Sequence, residues 1–259
     1  MKRVYTLTLL MSLMALASHA QQYKYTPKGN IAETIVVIQN LYADISIEGV
    51  SSNEITIETD EYEGIPEKAK GLKPLSATGP ENTGIGLSVV QEGNKITISG
   101  ASRKADGEYR IKLPKNIMLK ADLNTWQAGD FFAKGLTNEV EVKSQNGDLI
   151  FEDITGPLVA YSLSSDISVR FSSLNQATPT SISSTSGDLD ITLPASSKGN
   201  FKLSSVSGEI YTDVDFQFGE EKDLKRWGGG MSANATLNGG GVEISLKSIS
   251  GDVYIRKAK

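Results

Sequence analysis

The amino-acid sequence predicts an all-β solenoid, a single rod of parallel coils of about twenty residues with two short strands per coil. The first of three observations is a step of Gly followed by Asp or Glu, at Gly107-Glu108, Gly129-Asp130, Gly147-Asp148, Gly187-Asp188, Gly208-Glu209 and Gly251-Asp252, with Ser165-Asp166 in the gap. Its intervals are 22, 18, 18, 22, 21 and 43 residues, the last about two periods. The second is a pair of apolar positions two and four residues after the step, as in Leu149/Phe151, Ile167/Val169, Leu189/Ile191 and Val253/Ile255. A period of two marks a strand with one buried face. The third is a matching pair seven and five residues before the step, as in Val140/Val142, Leu158/Ala160, Phe201/Leu203 and Ile244/Leu246, which gives each coil its second strand. A unit this short has no core of its own and must stack on its neighbours.

Taken in order, residues 1–20 read as a secretory signal: Lys2 and Arg3, an apolar run from Leu7 to Ala17, then Ser18-His19-Ala20 as a small-x-small cleavage site. Residues 21–30 form a tail and 31–259 one elongated domain. Its first part, 31–106, is an irregular β region that caps the rod. There, residues 35–38 lead into an alternating segment at 44–48, and a second at 54–58 follows as a hairpin partner or as the next turn of the solenoid. Residues 61–86 break the pattern with Gly64, Pro66, Gly71, Pro74, Gly79-Pro80, Gly84 and Gly86, and their stretch PEKAK has room for one helical turn. An excursion of this kind carries binding when anything does. Strands resume at Leu87–Val90 and Ile96–Ser99 around the turn Glu92-Gly93-Asn94. Regular coils fill 107–259, interrupted by a charged, glycine-rich insertion at 215–241 that accounts for the doubled interval. Asp252–Arg256 is then the last strand at an open end, guarded against edge pairing by Lys257 and Lys259.

Two polar columns mark the corner between the strands of a coil. Ser144, Ser162, Ser184, Ser205 and Ser248 stand three residues before the step, and Asn146, Ser164, Ser186, Ser207 and Ser250 one before it. Short hydroxyl and amide side chains at a corner bond nearby backbone, and glycine tolerates the positive φ that a tight corner can require. A serine repeated on every coil is not a unique nucleophile, which needs a base and an orienting group beside it.

Composition narrows the chemistry further. The chain holds one histidine, His19, inside the targeting segment, and no cysteine. Beyond residue 20 it therefore lacks the usual zinc ligands, a thiol nucleophile, a disulfide and the residue most used as a base near neutral pH. The whole chain has 26 basic and 31 acidic residues, a balance unlike the clustered basic surface that nucleic acid requires. No stretch approaches the roughly twenty apolar residues of a membrane helix.

Two sets of side chains stand out as candidate sites. In the acidic column Asp148, Asp166 and Asp188 would lie about 4.8 Å apart on stacked coils, as calcium ligands or as solvated turn residues that bond nearby amides. The candidates for a ligand or partner are Trp227, before the glycines of the insertion, and Phe132 with Ile150, adjacent on the outward face. Trp227 could stack on a sugar or fold back as a plug, and the Phe132/Ile150 spot calls for cover by the N-terminal strands or by a partner. Trp126 is expected inside the core, as a plug where the regular coils begin.

The runs YRIKLPKNIMLKADLNTWQAGDFF, VEVKSQNGDLIFEDITGPLVAYSLSSDISVRF, STSGDLDITL and SVSGEIY, with the ending GGGVEISLKSISGDVYIRK, resemble the bacterial putative-adhesin family of unknown function, also called toastrack-type. The opening IQNLYADISIEGVSSNEITIET resembles that family's N-terminal strands. The resemblance implies a right-handed β-solenoid in exported bacterial proteins, and it brings no catalytic motif.

The expectation is a non-enzymatic, monomeric envelope or surface protein, an adhesin or interaction scaffold, located in the periplasm, on the surface or in the medium. It has no catalytic residue, cofactor or membrane span, and its partner is a cell-surface glycan or an envelope protein. The alternative is a polysaccharide-binding or polysaccharide-cleaving protein, because parallel β-helices host such enzymes.

Overall fold

The structure, a computed structural model, describes residues 21–60, 62–64, 66–72, 78–102, 104–219, 224–227 and 230–259, with backbone alone over 224–227. The secretory-signal reading of residues 1–20 lies outside them. Alternating apolar positions fold into two sheets that face each other across a continuous core running from Val36 to Ile255.

The first sheet holds β1 (Gln21–Tyr25), β3 (Asp44–Val50), β4 (Ile55–Thr59), β7 (Glu108–Pro114), β9 (Phe131–Lys134), β11 (Leu149–Ile154), β13 (Ile167–Phe171), β15 (Leu189–Leu193), β17 (Ile210–Thr212) and β22 (Val253–Lys257). The second holds β2 (Ile35–Gln39), β5 (Leu87–Glu92), β6 (Lys95–Gly100), β8 (Met118–Leu123), β10 (Val140–Ser144), β12 (Leu158–Ser162), β14 (Thr180–Ser184), β16 (Gly199–Ser205), β18 (Gln217–Phe218), β19 (Leu224–Trp227), β20 (Gly230–Leu237) and β21 (Glu243–Ser248). From β6 to β17 the chain passes from one sheet to the other at every strand after β6, and these strands pair in parallel. The apolar columns read from the sequence become vertical files. Phe131, Leu149, Ile167, Leu189, Val253 and Ile210 are successive register partners, and all but the partly exposed Ile210 at the end are buried.

Stacking order departs from chain order at both ends. The first sheet runs β1-β4-β7-β3-β9-β11-β13-β15-β22-β17, and the second runs β20-β16-β21-β14-β12-β10-β8-β2-β6-β5. Strands β2 and β3 of the irregular N-terminal region thus sit inside the stack, between β6/β7 and β8/β9. Segments 44–50 and 55–59 do not pair with each other, because β7 lies between them. At the other end β21 and β22 lie between β14/β15 and β16/β17. The expected terminal strand with gatekeeper lysines is therefore an interior strand, and the doubled interval reflects a coil that doubles back as well as an insertion. A sequence period reports how long each coil is and carries no order for the stack, which is why this was not legible.

The rims carry antiparallel strands. At one end β4 pairs β7, β1 pairs β4 and β5 pairs β6. At the other, β20 covers the edge of β16 and carries β18 and β19. Phe201 and Phe216 meet edge to face at 4.9 Å beneath this rim. The helical turn read at PEKAK is a single 3-10 turn, Glu67–Ala69.

The corners explain the recurring spacing of the polar columns. Ser162, Ser184, Ser205 and Ser248 are buried. Each accepts the amide of the step residue three positions on, at 2.8–2.9 Å. Three of them also donate to the corner of the adjoining coil: Ser184 to the Ser165 carbonyl, Ser248 to that of Gly187 and Ser205 to that of Gly251. These hydroxyls give corner amides and carbonyls the partners that burial demands. The glycines serve a purpose other than the expected one. Of those at the step, only Gly147 has a positive φ, at 82°. The shared reason is room: a Cβ would meet backbone at 2.0 Å at Gly147, 2.1 Å at Gly187, 2.4 Å at Gly208 and 2.2 Å at Gly251.

Candidate functional site

The acidic column forms a ladder that ties the coils together. The Oδ1 of Asp44 accepts the amide of Asp130, that of Asp130 the amide of Asp148, and so on through Asp166 and Asp188 to Asp252 and Glu209, at 2.7–3.3 Å. Its order, 44-130-148-166-188-252-209, is the stacking order of the coils. Asp148, Asp166 and Asp188, the calcium candidates, thus stand one per coil with an oxygen committed to the next amide. Among the described residues no group of three or more His, Asp or Glu side chains is placed to hold a metal ion.

Burial first, and neighbouring charges after it, set the proton affinity of Asp148. Burial pushes its carboxyl up, the amide of Asp166 pulls it down, and the Asp130 and Asp166 charges push it up again, so it lies above its ordinary value. A raised folded pKa means that the folded chain binds this proton more tightly than the unfolded chain. Its contribution to stability is then present at acidic pH and falls as pH rises above the ordinary carboxylate range. Asp148→Asn keeps an oxygen for the Asp166 amide and removes the charge. Thermal melts across pH are expected to place it at or above the parent chain at neutral pH, with the margin closing in acid. A lower melting point at neutral pH would show that the charge itself is favourable.

On one side of the ladder lies a groove of about 300 Å³ in the outer face of the first sheet. Ser168, small between Ile150 and Asp190, forms its floor, Asp148, Asp166 and Asp188 one wall, and Tyr254 with Arg256 one end. Arg256 donates to both oxygens of Asp190 at 2.9 and 3.2 Å, which holds its guanidinium above its ordinary value, and it lies 5.4 Å over the Tyr254 ring. Tyr254 stacks on Tyr211 at 5.3 Å with the rings 12° from parallel. Ile150 borders this groove and is 36% exposed, while Phe132 beside it is half-buried. The N-terminal strands do not cover the pair: β3 joins the same sheet edge to edge, next to β9.

On the other side of the ladder is a feature the sequence reading missed. The residues two before the step turn outward at the corner, and in stacking order from the second ladder rung they are Gln127, Gln145, Leu163, Thr185, Ile249 and Val206. Leu163, Ile249 and Val206 are all exposed, and so is Trp126 beside Gln127, at 73%. An expected core plug is thus the most exposed large apolar side chain described. The turn at residues 124–128 projects it, and Asn146 reaches up to its carbonyl at 3.5 Å. The column lay in plain view between the two polar ones. Its mixture of Gln, Thr and aliphatic residues gives no regular alternation, and only the stacking order brings its apolar members into one ridge about 24 Å long. Trp227 ends β19, the strand carried outermost on β20 at Trp227↔Gly230, and its side chain lies outside the described residues.

Comparison with known proteins follows this geometry. The sequence model of the Toastrack DUF4097 family matches residues 116–256. Among solved structures, a putative cell adhesion protein from Clostridium sporogenes is similar at 13% identity over 92% of this chain and 100% of that one, with a TM-score of 0.46. A putative adhesin from Bacteroides fragilis is similar at 14% identity over 92% and 97%, with a TM-score of 0.34. No curated protein matches the chain.

Proposed function

The chain belongs to the Toastrack DUF4097 family, and on that premise we propose that it is a non-enzymatic, exported interaction scaffold of the cell envelope or surface. In this reading residues 1–20 direct export and are removed, and 31–259 act as one right-handed rod with two strands per turn. No helix among the described residues is long and apolar enough to cross a membrane.

The observation that carries the reading is the ridge of Trp126, Leu163, Ile249 and Val206 beside a ladder whose acids and buried serines are engaged in holding coils together. Exposed apolar side chains gathered in one place mark contact with a partner. Polar side chains repeated at every level and spent on backbone bonds serve the frame. The exposed Trp126 ring in this ridge favours a glycan, since an exposed ring presents an apolar face to a sugar.

Binding of the chain to a glycan array, and then to isolated envelope components, tests this. A Trp126→Ala, Leu163→Asp, Ile249→Asp variant is expected to lose at least about tenfold in binding, the consequence of removing central aromatic and aliphatic anchors. Its melting point should stay close to that of the parent chain, because exposed positions contribute little to stability. Binding unchanged in the variant would remove the ridge as the site, and a parent chain that binds no glycan would direct attention to envelope proteins.

A further inference from the structure

We infer that the last coil, residues 242–259, is an exchangeable insert whose slot accepts the same segment from a second copy of this chain. The slot is unusual in that its two walls are consecutive in sequence. Strands β15 and β16 are joined by residues 194–198 alone, yet the coils they belong to stand two strand spacings apart, about 9.6 Å, held so by β21 and β22. The insert is paired on both sides: β21 with β14 and β16, β22 with β15 and β17. Ile244, Leu246, Val253 and Ile255 within it are at most 1% exposed. Without the insert, four strand edges and a slab of core lie open.

Nothing in these contacts depends on which copy supplies the insert, because the turn before it is what joins it to the walls of its slot. That turn, Asn238-Gly239-Gly240-Gly241, has four successive positive φ angles of 49°, 83°, 83° and 157°. A Cβ on Gly239 would meet nothing within 4 Å, and those on Gly240 and Gly241 would first meet the side-chain ends of Asn200 and Gln176. Three glycines in this conformation are as free to extend as to reverse. Extending the turn would give up the Gly240 amide bond to the Leu237 carbonyl and the Asn200 bond to the Gly241 carbonyl. Every ladder and core contact of the insert is rebuilt in a two-fold dimer, the low-cost route by which identical elements exchange. Once folded, a copy cannot release the insert without uncovering its four buried aliphatic side chains. The choice between self and partner is therefore made during folding and held afterwards.

The absence of native cysteine makes the test direct. Ser183 and Lys247 are register partners on β14 and β21, and neither is buried. Full-length Ser183→Cys and Lys247→Cys chains, unfolded together and refolded at high concentration under mild oxidant, are expected to yield a disulfide-linked heterodimer. Its yield should exceed by about tenfold that of a Ser168→Cys and Lys247→Cys control pair, since exchange alone raises the local concentration of the first pair. Mixing the two chains already folded should give only the control level. A co-refolded yield no greater than the control overturns the inference. Deleting Gly239 and Gly240 in the full chain is expected to shift the folded protein from monomer to dimer by light scattering. A deletion chain that stays monomeric with the parent melting point overturns it as well.

Discussion

Replacing Gly187 by alanine is expected to lower stability by about 3 kcal/mol, at the top of the usual range for overpacking, and to bring the melting midpoint down by about 6–12 °C. Gly187 has no positive φ, so no conformational penalty enters. The cost arises because a Cβ there would lie 2.1 Å from the Ser165 carbonyl oxygen and 2.3 Å from its carbon. Backbone cannot swing aside as a side-chain end can, and the corner below is pinned by the Ser184 hydroxyl and the Asp166 carboxylate. Gly147→Ala should cost more, about 4–5 kcal/mol. It meets the Gly129 carbonyl at 2.0 Å and adds the left-handed penalty of about 1–2 kcal/mol. Gly29→Ala, at φ 93° with nothing within 4 Å, isolates that penalty and should cost about 1 kcal/mol. Chemical denaturation of the three variants ranks them. A Gly187→Ala midpoint within about 2 °C of the parent, less than the shift expected of a single kcal/mol, would mean that the corners do not approach as closely as described.

Leu246→Ala carries the second large effect, about 2–5 kcal/mol. Leu246 is fully buried and sits between Ile182 and Leu203 in register, so the cavity it leaves is walled by two other coils. A last coil at an open end would behave differently, since its outer neighbours could collapse into the gap or solvent could fill it. Leu163→Ala, on the exposed ridge, should change stability by no more than about 0.5 kcal/mol. A Leu246→Ala loss below about 1 kcal/mol would place this coil at the periphery after all.

The internal architecture was legible because it rests on spacing. A file such as Leu149, Ile167 and Leu189 needs an apolar residue at one phase of every coil, and the sequence supplies it at each Gly-Asp step. The buried serines were legible for the same reason: four of the five copies accept the amide three residues on, and Ser144 instead donates to the Asn146 carbonyl. Residues that break the repeat were read less well. Trp126 stands in the serine column and was expected to be buried, since an indole is a large apolar body. Its corner, however, packs against the backbone of the adjoining coils and leaves no room for it inside. The exposed ridge was missed because its members come from columns of mixed character, joined only once Ile249 moves between Thr185 and Val206. The positive φ expected of the step glycines is met at Gly147 alone: sequence shows that a side chain is absent, and both positive φ and close approach predict that absence.

The interleaved ends bear on how the polypeptide can be made. A chain that emerges from ribosome or translocation channel N-terminus first has coils 180–193 and 199–212 in hand well before residues 242–257 exist. If those coils closed on each other, the final segment would find its berth taken. The middle must stay ajar until residues 242–257 have emerged, so a chain that stops before them loses a central layer and not a terminal one.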